Sequence, residues 1–249
     1  MCIHRKSRPV LRESVNLLAS LGVRSIKVGS MMEMGEWLNP ELRDLQLTEE
    51  EELEMFLEYI PQYFEDNAPV SIMMAESFMY TPGDGKWAIY NVRECTGPDE
   101  RLAPSCGVLT NHFYIGADGM VCPCMGMGDC GYAPHFPNLF ETPLRDILNR
   151  ESGFSRLCGA KVGDIRDHNP KCREYRFVDK CTGGCRNSVL INGDDYYGID
   201  EMLCRFFESG ADKRVTEAAQ APFEAYPKRN PPRREEKPEG EERTPPDCP

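Results

Sequence analysis

The chain is poor in the residues that would make it an ordinary zinc or membrane protein. It has four histidines, His4, His112, His135 and His168, all outside its cysteine clusters, and no intact C-x2-C knuckle, the pairing that zinc sites favour. No apolar run approaches the ~18 residues a membrane span needs. The opening residues, MCIHRKSRPVLRES, lack the apolar core of a secretion signal, so a cytoplasmic protein with no membrane partner is expected. Positive charge is also short: 29 Lys and Arg face 41 Asp and Glu, a net −12, which argues against nucleic acid as a partner.

What the chain has instead is cysteine, twelve in 249 residues. In a reducing compartment these are expected to be metal ligands or core thiols rather than disulfides. Two arcs concentrate them. Residues 170–185 read PKCREYRFVDKCTGGC, holding Cys172, Cys181 and Cys185, with Cys204 further on. Upstream, Cys106, Cys122, Cys124 and Cys130 surround the turn GADG. Spacing alone leaves both structural zinc and iron–sulfur clusters open, and the lack of histidine beside the thiols leans toward iron–sulfur. Lys171, Arg173, Arg176 and Lys180 make the second arc basic against the overall sign, as an anionic thiolate cluster requires. Gly183 and Gly184 would let backbone N–H groups approach sulfur.

The remaining sequence reads as mixed α and β. Leu11, Val15 and Leu18 share a face of a helix over 8–21, ended by Gly22, and VRSIKV follows as a strand, the αβ half of a βαβ repeat. Only MCI precedes that helix, as if the chain entered a barrel or wound sheet partway. Thr48 and Glu51 form a capping box for a helix to Phe64, which Pro61 should kink or shorten. Strands are expected over 69–75 and 86–90, and a hairpin over 112–122 around Ala117-Asp118-Gly119. A short helix should follow, with Thr142 as cap and Pro143 first, then a turn at Asn192-Gly193 and a last helix from Asp200 to Ala219. From Pro227 a proline- and charge-rich tail is expected to be disordered, with Cys248 a bystander. Cys2 and Cys158 read as core thiols, as do Met31, Met32, Met34, Met73 and Met74 as core filler. Trp87 and Tyr90 read as strand core, and the EEEE run at 49–52 as a solvated helix start.

One spacing is far more specific. Cys106, twelve residues, Gly119, four residues, Cys124, then Cys172, two residues, Tyr175, five residues, Cys181, three residues, Cys185, and finally Cys204 resembles the SPASM extension of radical SAM enzymes. The resemblance spans roughly residues 95–207; a weaker one relates 1–64 to the end of the radical SAM partial barrel in sulfatase- and peptide-maturing members. It implies an α/β chain whose residues 1–68 are the C-terminal piece of a partial (β/α) barrel. A loop-rich α+β SPASM module over 69–220 and the tail over 221–249 would follow.

The resemblance also implies ligands: one or two [4Fe–4S] clusters, the first on Cys106, Cys124 and Cys185 with Cys95 as fourth ligand, Cys122 and Cys130 as its substitutes. The second would take Cys172, Cys181 and Cys204. There Tyr175 stands where the pattern has cysteine, so that cluster has an open iron, takes an oxygen from Asp179 or another donor, or does not assemble. The C-x3-C-x2-C loop that binds the catalytic cluster and S-adenosylmethionine is missing, Ser188 standing where its third cysteine would fall after Cys181 and Cys185. The implied role is therefore electron transfer or substrate holding during modification of a peptide or protein. S-adenosylmethionine would be used only if a separate chain supplied the N-terminal half, and a ferredoxin or flavodoxin would be the electron donor. The other reading is a non-catalytic protein that uses zinc or a cluster to staple a peptide-binding surface.

Overall fold

A computed structural model describes residues 1–29, 37, 39–75, 77–89, 98–107, 112–193 and 195–226. Helix α1, Leu11–Ser20, follows a tight 3-10 turn at Arg8–Val10, and Gly22 leaves it at φ +87°, a conformation only glycine adopts cheaply. Strand β1, Ser25–Val28, then alternates exposed Ser25 and Lys27 with buried Ile26 and Val28. The opening residues lie alongside the end of β1 without forming a strand, Cys2 and Gly29 making an isolated parallel bridge. The pairing leaves Ile3 buried and Cys2 exposed, so Cys2 is not the core thiol expected of it.

Helix α2, Glu49–Glu65, starts on the expected capping box and runs through Pro61, which does not shorten it. Its buried face carries Leu53, Phe56, Tyr59, Ile60, Tyr63 and Phe64. Strand β2, Ser71–Met74, returns parallel to β1, with Ile26 opposite Ile72. β3, Phe78–Thr81, and β4, Lys86–Ala88, then fold back antiparallel, giving one sheet in the order β1-β2-β3-β4. β3 was not expected. Met74 is buried in this sheet and Trp87 stacks on Phe78 at 6.1 Å; Met31, Met32, Met34 and Tyr90 lie outside the described residues.

The next stretch is short elements joined by turns. Hairpin strands β5, Tyr114–Ile115, and β6, Val121–Cys122, pair antiparallel as expected. Five short helices follow: α3, Leu144–Ile147; α4, Gly153–Cys158; α5, Val162–His168; α6, Pro170–Arg173; and α7, Arg186–Ile191. Pro143 is the cap residue of α3 rather than its first helical position, and Cys158 is half-buried against the Ile147–Phe154 cluster. The single last helix expected is two: α8, Glu201–Glu208, and α9, Ala211–Ala225, broken where Gly210 takes φ +77°.

α9 closes the molecule. Ala211, Val215, Ala219 and Tyr226 join the core made by α1, α2 and the four-stranded sheet. This core takes residues from both sides of 68 and 69 and reaches to Tyr226. The acidic start of α2 is solvent-exposed, as expected, and also carries ion pairs to the C-terminal helices: Glu49 takes Arg205, while Glu50 and Glu54 take Arg214. A smaller core around Cys122, Met127, Phe136, Leu190 and Tyr196 packs with the first cysteine arc.

Candidate metal centre

The second arc is folded by backbone and charge. Asn169 ends α5 and its side chain donates to the Ile165 and Tyr197 carbonyls, turning the chain into α6, which carries Cys172. Arg166 donates to the carbonyls of Val178 at 2.6 Å and Cys181 at 3.1 Å and is paired with the carboxylate of Glu100, both side chains nearly buried. Gly183 and Gly184 follow at φ +94° and +79°. A Cβ on Gly184 would stand 2.3 Å from the Asp200 Cβ, so glycine is needed for this approach. Asp200 Oδ2 in turn accepts the Cys185 N–H at 2.7 Å, and Oδ1 caps α8 through Met202 N–H and Leu203 N–H. α8 delivers Cys204.

The result is one cavity lined by Cys172, Cys181, Cys204, Tyr175, Arg166 and Asp200. The Gly183 N–H points at Cys181 Sγ, 3.4 Å away, the sulfur-directed donor foreseen from the paired glycines. Burial pushes the Cys181 thiol up to about 11, with Cys204 and Cys172 adding to the rise. Burial also raises Cys172 and Cys204, while Arg186, Lys171 and Arg166 act against it at Cys172, and Lys171 and the Tyr175 hydrogen bond at Cys204. Such thiols stay protonated at neutral pH unless a metal takes the proton's place.

The first arc gathers on the β6 side. Cys122 is fully buried and burial lifts it to about 11, with Cys130 the next contributor. Burial raises Cys124 as well; Gly126 and Met127 N–H groups oppose this and Cys106 and Cys130 add to it. Cys130 Sγ donates to the Met127 carbonyl at 3.1 Å, and Met127 N–H donates to the Cys124 carbonyl at 3.1 Å, so the two thiols cap the two ends of one 3-10 turn, Met125–Asp129. Cys185 caps α7 beside this turn, since a Cβ on Gly126 would meet Asn187 Nδ2 at 2.4 Å.

Between the arcs lies Arg186, 1% exposed. It donates to the carbonyls of Tyr196 at 2.9 Å and Gly198 at 2.8 Å and to that of Gly183, while its Nε has no partner among the described residues. Burial lowers its pKa, and Asp200, Tyr196, Cys185 and Cys181 oppose that. A buried guanidinium beside one carboxylate and several thiols fits a site where those thiols become metal-bound anions. The donor set is sulfur, N–H groups reach it and cations face it, so the residues present fit an iron–sulfur cluster. Among the described residues, no three His, Cys, Asp or Glu side chains close on a single point at ion-binding distance.

Of the expected ligands, Cys172, Cys181 and Cys204 share the cavity; Cys106, Cys124, Cys122 and Cys130 gather around the hairpin end, with Cys185 next to them. Cys95 lies outside the described residues. Asp179 is exposed and does not line the cavity, and neither of the neighbours considered for it takes its charge: Lys180 pairs with Asp212, and Arg176 lies 4.5 Å over the Phe177 ring. Of the four basic residues read from the loop, Lys171 bears on the thiols. Arg166 and Arg186 do too and were missed, because nothing local marks an arginine that turns inward.

The family comparison falls on the same residues. Residues 106–186 match the SPASM family, described as an iron-sulfur cluster-binding domain. The matched span encloses Cys106, Cys124, Cys172, Cys181 and Cys185 and ends before Cys204. No curated protein matches the chain, and no helix among the described residues is long and apolar enough to cross a membrane. The chain thus carries a SPASM iron–sulfur cluster-binding domain, in keeping with a radical SAM/SPASM-domain protein.

Proposed function

We propose that this chain is the auxiliary-cluster portion of a radical SAM enzyme that modifies a peptide or protein in the cytoplasm. The observation that carries it is the SPASM match over residues 106–186, which supplies the first group of thiols and, apart from Cys204, the second. When bound, iron–sulfur clusters would supply one-electron transfer at both groups. The chain's own part is to hold the thiols, keep most water away by burial, and set the local charge through Arg166, Lys171 and Arg186.

In this reading residues 1–68 are the end of a partial barrel, and a separate chain supplies the half with the C-x3-C-x2-C loop and S-adenosylmethionine. Support for such a partner is apolar surface at the end of α1, where Leu17 is 59% exposed and Leu21, the residue that caps the helix, 71%. A ferredoxin or flavodoxin would deliver the electron. Anaerobic purification with iron, sulfide and zinc analysis tests the core of this reading. Iron and sulfide in at least cluster stoichiometry, with broad visible absorption, is the expected result. Stoichiometric zinc without sulfide would instead indicate a zinc-stapled peptide-binding protein.

A further inference from the structure

We propose that Cys172, Cys181 and Cys204 form a site with three protein donors, in which Tyr175 is a bracket and not a ligand. The fourth position is left to an exchangeable water. The inference rests on the cluster-binding reading above and concerns the second thiol group alone.

Tyr175 stands at the position that the seven-cysteine pattern fills with cysteine, and it lines the same cavity as the three thiols. Its hydroxyl is already used. It donates to the Cys204 carbonyl at 3.0 Å and also lies beside the Cys204 thiol, and the ring is pinned from behind by Phe177 in an edge contact at 5.5 Å. A phenol must give up its proton to bind iron, and doing so here would break the bond that ties the loop after α6 to α8. The hydroxyl thus keeps Cys204 in line with Cys172, a positioning role.

No other side chain on the cavity fills the gap. Asp200 has both oxygens engaged: Oδ2 accepts the Cys185 N–H, and Oδ1 accepts Ser188 Oγ at 3.1 Å and the α8 cap N–H groups. Arg166 is a donor only. Ile165, Val178 and Ile199 are hydrocarbon, and Asp179 is outside the cavity. A four-iron cluster held here would have one iron without a protein ligand, and such an iron leaves first on oxidation.

The test uses the anaerobically reconstituted full chain and ferricyanide. Each four-iron cluster in the 2+ state would release one Fe2+ and pass one electron to ferricyanide, leaving a three-iron cluster in the 1+ state with its own EPR signal. The wild type should give that signal, and Tyr175→Phe should give it in proportion to the iron it binds, with less iron taken up because Cys204 has lost its bracket. Tyr175→Cys should lose it, the fourth donor now being present, and Cys181→Ser should abolish it, which assigns the signal to this site. A phenolate-to-iron charge-transfer band in the wild type that Tyr175→Phe removes would overturn the proposal by making the phenol a ligand. An undiminished signal in Tyr175→Cys would overturn it by placing the labile iron elsewhere. Failure of every variant, wild type included, to take up iron and sulfide would instead remove the cluster-binding reading itself, and this inference with it.

Discussion

Single residues in the cysteine arcs are held by partners far away in sequence, so their replacement has effects of predictable sign. Gly184 has φ +79° and no room for a methyl group against Asp200. Gly184→Ala must strain the backbone or push the carboxylate off the Cys185 N–H and the α8 cap, a loss of about 1–3 kcal/mol. A urea titration should show that drop, with less iron retained after reconstitution; an unchanged midpoint would mean the loop is free to move. Arg166 poses a different case. Arg166→Gln leaves the nearly buried Glu100 carboxylate without its cation and releases the Val178 and Cys181 carbonyls, which should cost about 2–3 kcal/mol. Glu100→Gln should recover part of this in the double variant, because the stranded charge is then gone. A double variant as unstable as the sum of the two singles would deny the coupling. Tyr63 offers a control in the other core: its hydroxyl donates to the Val70 carbonyl at 2.6 Å, and Tyr63→Phe should cost about 1 kcal/mol without altering iron content.

At the scale of elements, charge decides how helices meet. Asp66, just past α2, is held below the usual carboxylate range by the Arg12 hydrogen bonds, with Asn16 assisting against burial. Glu51 is lowered by the Thr48 N–H first and Arg5 second, and Glu50 by Arg214. A depressed folded-state value means the stability these groups add is complete above the ordinary carboxylate range. It is lost as pH falls below about 4. The urea midpoint should therefore fall with acid through that window, and Asp66→Asn should flatten part of the fall; equal slopes would show that Asp66 contributes nothing. What could be read of these elements from sequence was what is decided locally. The capping box of Thr48 and Glu51, the left-handed exit at Gly22 and the hairpin at Gly119 each depend on neighbours a few residues apart, and each is present. β3 escaped because FMYT is too short to show a period, although PGDG after it marks a turn. The break between α8 and α9 escaped because Ser209-Gly210 interrupts a pattern that stays apolar on both sides. The thiol groups were legible through spacing. The charges that face them were not, since Arg166, Arg186 and Tyr175 acquire their roles through contacts with distant backbone carbonyls.

On the scale of the whole molecule, two parts have different means of staying folded. The sheet β1–β4 with α1, α2 and α9 has a continuous core in which Tyr63, Phe64, Phe78 and Tyr80 meet edge to face. The cysteine-bearing part has only a small core and helices of four to seven residues between β6 and α8, each too short to be stable alone. Its order must come from cross-links, and bound clusters are the candidates with the largest effect. The two parts are tied by charge, Lys180 to the buried Asp212 and Arg205 to Glu49. Stripping iron from the loaded protein with a chelator should therefore not unfold it uniformly. Hydrogen exchange is expected to rise by orders of magnitude in α5, α6, α7 and the β5–β6 hairpin. Amides of β2, β3 and the middle of α2 should keep their protection, because nothing in their core depends on the thiols. Equal loss everywhere would mean that the sheet core also leans on the clusters, through α8 and α9. No loss anywhere would mean that backbone and arginine contacts alone hold the arcs, with the clusters adding chemistry but no stability.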